Sequence, residues 1–143
     1  MPGYSGTPLP KNLGVKPGDC LVLLHAPAQF DAALGDLPGN ARIGTRIVSE
    51  ARLVMLFCKD RATLEKSLPA VAAKLAAEGA IWVCWPKKSS KLFADLTESA
   101  IRVICLPMGL VDVKVCAVTE DWSGLKLMVR KENRLTWNAS QSK

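Results

Sequence analysis

Three short stretches of this chain are apolar without a break: residues 21–24, 53–58 and 81–85. Successive side chains of a strand point to opposite faces, so an unbroken apolar run needs cover on both sides. Parallel sheets sandwiched between helices provide that cover, and the runs are strand-length, far short of the roughly 20 residues of a membrane-spanning helix. The chain therefore reads as α/β.

The segments between these runs carry helical or turn chemistry. Residues 29–37 place Phe30, Ala33, Leu34 and Leu37 on one helical face, and Pro38-Gly39-Asn40 stops it. Residues 41–48 alternate weakly and suit a strand near an edge. Residues 61–77 put Leu64, Leu68, Val71, Ala72 and Leu75 at helical spacing, with Pro69 expected to divide the helix and Gly79 to end it. Asp95-Leu96-Thr97-Glu98 has capping-box spacing ahead of Ala100, Val103 and Ile104. Residues 111–118 and 125–130 flank Glu120-Asp121-Trp122-Ser123-Gly124 as a closing hairpin. The expected organisation is an N-terminal arm (1–14), a Rossmann-like α/β domain (15–131) and a loose, polar C-terminal tail (132–143) whose Leu135 and Trp137 can dock onto the domain. The expected fold is a three-layer Rossmann-like sheet, mostly parallel, ending in an antiparallel C-terminal hairpin.

Residues 14–24, reading Gly-Val-Lys-Pro-Gly-Asp-Cys-Leu-Val-Leu-Leu, resemble the lead-in and first strand of the class I methyltransferase fold, and residues 75–83 resemble its later helix-to-strand turn. A second resemblance rests on five strings: Gly3-Tyr4-Ser5-Gly6-Thr7-Pro8-Leu9, Trp85-Pro86-Lys87-Lys88, Asp95-Leu96-Thr97-Glu98, Lys114-Val115-Cys116-Ala117-Val118 and Trp122-Ser123-Gly124-Leu125. Together they are similar to a bacterial family known as domain of unknown function 3052, which implies the fold and no activity. The methyltransferase likeness implies a glycine-rich loop after the first strand, where backbone approaches the cofactor. Here that place reads His25-Ala26-Pro27-Ala28-Gln29-Phe30, and Glu50 is the one nearby acid for a ribose. The sequence thus disfavours S-adenosylmethionine and leaves any cofactor unknown.

Five cysteines, Cys20, Cys58, Cys84, Cys105 and Cys116, are odd in number, scattered and set among apolar neighbours. That is the usage of reduced core thiols, not of a secreted disulfide framework. With one histidine and no Cys-x-x-Cys, no metal site is expected. The start of the chain lacks a basic segment followed by an apolar one, so a cytoplasmic location is the expectation.

In open α/β sheets ligands sit beyond the carboxyl ends of the strands. That rule gathers His25, Lys59, Trp85, Lys87, Lys88, Ser89 and Ser90 at one end of the molecule. From residue 79 to 94 there are three lysines and no acid, which suits an anion if the loop folds over the crevice and a solvated loop if it does not. His25, the one histidine, can shuttle a proton or satisfy a local hydrogen bond; no nucleophile or carboxylate pair completes a mechanism around it. Cys58 and Cys84 can be core neighbours or a redox pair, and Trp122 and Trp137 can cover the sheet or mark a contact surface.

The expectation is a non-catalytic module for an anionic small ligand or a protein partner. The alternative is a degenerate methyltransferase-like or other nucleotide-using transferase. A weak nucleic-acid binder ranks third: the net charge is +6, but no long basic stripe or known nucleic-acid motif is present. No membrane partner is expected.

Overall fold

The computed structural model describes residues 8–28 and 30–141. The arm string around Tyr4, and Gln29 at the expected start of the first helix, lie outside the described residues.

The three apolar runs form the middle of one six-stranded sheet. Its strands are β1 (Cys20–Leu24), β2 (Arg42–Gly44), β3 (Ala51–Phe57), β4 (Leu75–Pro86), β5 (Leu110–Ala117) and β6 (Trp122–Val129), in the spatial order β2-β1-β3-β4-β6-β5. The first four pair in parallel and β6 runs antiparallel to both β4 and β5, so the fold is a mostly parallel sheet closed by an antiparallel C-terminal pair. The chain leaves β1 toward β2 on one side and returns to β3 on the other. This reversal puts the switch in strand order between β1 and β3.

Both faces of the central strands are buried, as the unbroken apolar runs demand. On one face Val22, Val54, Leu56, Cys58, Ile81, Val83 and Trp85 pack under α3 (Arg61–Ala72), α4 (Glu98–Cys105) and Trp137 of α5 (Arg134–Gln141). On the other, Leu21, Leu23, Met55, Phe57, Trp82 and Cys84 pack under α1 (Leu9–Leu13) and α2 (Phe30–Leu34). Trp82 is fully buried, and its indole Nε1–H donates to the Leu13 carbonyl at 3.0 Å, tying α1 to the sheet.

Three local expectations give way to tertiary structure. Pro69 does not divide α3, which runs through it from residue 61 to 72. Its ring is exposed, so the helix gives up one backbone donor there while Leu64, Leu68, Val71 and Ala72 stay buried. Gly79 does not end a helix but lies inside β4. Between the pairs Ala51–Leu75 and Leu53–Ala80 the two strands fall out of register, and a Cβ on Gly79 would sit 2.8 Å from the Ala51 carbonyl oxygen. Glycine is there because backbone passes so close.

Asp95 does not cap the helix that follows it. Thr97 does, its hydroxyl accepting from the Ala100 amide at 3.2 Å. The last described residues form α5, in which the Trp137 indole donates to the Leu75 carbonyl at 3.0 Å, while Leu135 is left almost wholly exposed. No helix among the described residues is long and apolar enough to cross a membrane.

Candidate ligand pocket at the strand-order switch

β1 ends at Leu24, and the chain turns at His25 with φ of 60°. A side chain in this left-handed region costs roughly 1–2 kcal/mol, which is why glycine usually makes such a turn. The sharp turn is therefore made without glycine, and it sets an exposed imidazole at the switch between β1 and β3. Parallel pairing of Leu24 with Leu56 brings the end of β3 alongside. Cys58, Lys59 and Asp60 follow directly and lead into α3.

Asp60 caps α3 by accepting from the Thr63 amide at 2.8 Å. The Thr63 side chain and backbone hold the Asp60 carboxyl below its usual range. Asp95 reaches the same helix end across the fold, its Oδ1 accepting from the Arg61 amide at 2.9 Å. Two carboxylates thus occupy the amino end of α3, with no room in that role for a ligand's anion.

The lysine loop is fastened at its ends. The Lys87 amide donates to the Asp121 carbonyl at 2.8 Å, and Asp95 holds α3. Between these points the bonds are internal: Ser90 and Phe93 amides to the carbonyls of Lys87 and Ser90, and the Leu92 amide to the Ser90 hydroxyl at 3.1 Å. Replacing Asp95 with alanine should free the loop and the first turn of α3 together. Hydrogen exchange should then accelerate about tenfold in residues 88–95 and 61–63 and not in the strands. Unchanged exchange in both segments would show that the carboxylate holds neither.

A cavity of about 570 Å³ opens at the switch point, lined by His25, Ala26, Pro27 and Ala28 after β1, by Phe57, Lys59, Asp60 and Thr63 around the end of β3, and by Leu92 and Trp122. Its aromatic wall is rigid. Phe57 meets Phe30 edge-on at 4.9 Å and Trp122 edge-on at 5.2 Å. A second cavity of about 280 Å³ lies at the start of α4 between Trp85, Lys88, Leu96, Thr97, Glu98 and Ser99. There the Glu98 carboxylate is turned along its helix to Arg102.

The structure thus brings His25 and Lys59 into one cavity and puts Trp85 and Lys88 in another. Lys87, Ser89 and Ser90 line neither of these two. Trp85 belongs to the opposite face of the sheet from Phe57 and Trp122. Sequence reasoning missed Phe57, Thr63 and Leu92 as lining residues. The one available signal was that Phe57 ends a central strand beside the switch.

Cys58 and Cys84 end neighbouring strands but point to opposite faces, so they cannot pair. Burial, and then the charge of Asp60, push the Cys58 thiol up to about 12. Burial, then Cys116 and Cys58, push Cys84 well up too. Neither is a nucleophile at neutral pH. Among the described residues no group of three or more His, Cys, Asp or Glu side chains could hold a metal ion.

Comparison with known proteins fits this architecture. A crystal structure from Sulfolobus solfataricus, of a protein assigned provisionally to the type 11 methyltransferases, superposes with a TM-score of 0.57 at 12% identity, covering 86% of this chain and 90% of that one. Identity that low speaks for the fold alone. No curated protein matches the chain. The model of the family described as protein of unknown function (DUF3052) matches residues 29–131, most of the chain's length, and the chain belongs to that family.

Proposed function

We propose that this protein is a Rossmann-like binding module that takes a small anionic ligand in the switch-point cavity and does not transform it. The observation that carries the reading is the meeting of His25 and Lys59 in that cavity, neither side chain having a hydrogen-bond or ion-pair partner among the described residues. The carboxylate that could orient His25 for proton transfer is Asp60; it accepts from the Thr63 amide, and no hydrogen bond joins it to His25. A proton-shuttling imidazole would need such an orienting bond.

S-adenosylmethionine fits these residues poorly. Its sulfonium is a cation, and the cavity already carries the Lys59 ammonium among its lining residues. Ala26, Pro27 and Ala28 also carry side chains where a glycine loop would let backbone approach. The transferase reading is favoured by one observation, the methyltransferase-like fold.

A thermal-shift screen against nucleotides, phosphosugars, acyl carriers and S-adenosylmethionine separates the two. An anion at a hundred times its dissociation constant should add about 2.7 kcal/mol of stability. A clear shift with S-adenosylmethionine and none with the anions would decide for the transferase.

Two variants locate the site. Lys59→Gln should weaken the anion hit about tenfold while leaving stability within about 0.5 kcal/mol, since Lys59 is exposed. His25→Gly should separate function from stability: affinity falls, yet release of the left-handed strain keeps the melting temperature equal or raises it. A His25→Gly protein that melts clearly lower would show that the imidazole serves the fold.

A further inference from the structure

We infer that the ligand is a monoanionic organic acid with a flat apolar body, an inference that rests on the switch-point cavity being the binding site. Three observations lead there. The cavity, at about 570 Å³, is the size of sites that enclose small organic molecules and far larger than a bare inorganic anion requires. Most of its wall is apolar: Phe57, Trp122, Leu92 and Pro27, with the two rings locked edge to face. A body that cannot hydrogen-bond is what such a wall accepts at no desolvation cost.

The polar groups narrow the head. Asp60 also lines the cavity; its Oδ1 accepts from the Thr63 amide, and its negative charge limits how much anionic charge a ligand can bring there. Lys59 and His25 remain, enough for one carboxylate. A nucleoside polyphosphate would want several donors, which folds of this kind supply from a glycine loop and a helix amino end. Here the loop side chains intrude, and the amino end of α3 already holds Asp60 and Asp95. The charge that fits is single and compact.

The chain's only histidine makes the test direct, because its imidazole gives one set of side-chain NMR signals. The full chain is titrated with 2-naphthoate, with the neutral 2-naphthalenemethanol, with acetate and with AMP, while total binding is followed by calorimetry. The expected result is a saturable shift of the His25 signal with 2-naphthoate, affinity at least tenfold weaker for the alcohol, and no saturation with acetate. In Lys59→Gln the acid should lose its advantage over the alcohol. Equal affinity of acid and alcohol, or tighter binding of AMP, at a site that shifts His25 would overturn the ligand class and leave the pocket standing. Calorimetric binding that leaves His25 unmoved, or no saturable shift with any of the four, would overturn the pocket and the class with it.

Discussion

Raising the pH from 9 toward 11 should destabilise the protein markedly. Burial holds the thiols of Cys58, Cys84 and Cys105 protonated in the folded chain, with Cys58 pushed up to about 12 and Cys105 to about 11. In the unfolded chain they titrate near 9. Below that value both states keep their protons and the burial of neutral thiols contributes in full. Above it the unfolded chain releases protons that the folded chain retains, so the balance shifts toward unfolding by about 1.4 kcal/mol per pH unit for each thiol. Over two units Cys58 alone withdraws roughly 2–3 kcal/mol, a sizeable part of the 5–15 kcal/mol that holds a domain folded, and Cys84 and Cys105 act in the same direction. The urea midpoint followed against pH is the check. It should fall steeply above 9, and Cys58→Ala should make the fall shallower. A midpoint flat to pH 11 would mean that the thiols ionise alike in both states.

Trp82→Ala should cost about 3–5 kcal/mol, the range for deleting a buried aromatic ring. Trp82 is fully buried near the centre of the sheet, pairs with Met55 of β3 and Lys126 of β6, and holds α1 through the Leu13 carbonyl. Loss of the ring opens a cavity and leaves that carbonyl without its indole donor. Gly124 of β6 has no side chain to fill the space: its Cβ position is 3.2 Å from the Trp82 ring. Trp82→Phe should cost less, about 1–3 kcal/mol, most of it from the hydrogen bond and the smaller ring. Chemical denaturation of the two variants against the parent measures both numbers. A loss under 1 kcal/mol in the alanine variant would mean that the sheet closes over the gap.

The central strands were legible because a short apolar run with no alternation must be covered on both faces, and a central parallel strand is what receives that cover. The hairpin was legible, but its turn reads too long from local chemistry: Trp122, Ser123 and Gly124 open β6. The start of β4 was not. Residues 75–77 are Leu-Ala-Ala, good helix formers, and only the pairing of Leu75 with Ala51 makes them a strand. Nor could spacing tell that Asp95 serves a helix that begins 34 residues earlier. Both are long-range choices that a local pattern cannot encode.

The site divides the same way. His25 and Lys59 followed from a topological rule that needs only the strand ends. The face on which Trp85 lies did not, because it depends on Phe57 pairing with Cys84, which puts Phe57 and Trp85 on opposite sides and which neither run announces. The pairing of Phe57 with Trp122 depends on β6 inserting beside β4, which nothing near either ring announces.

The twin carboxylates on α3 have an electrical consequence. They offset the positive pole that a bare helix end would present, so an approaching anion would be drawn by exposed side chains on the rim such as Lys59. Such a field fades within a Debye length, about 8 Å in physiological salt. Capture of the proposed anion at this end of the molecule would therefore be short-ranged, and dissolved ions would weaken it more readily than they could a site built on backbone dipoles.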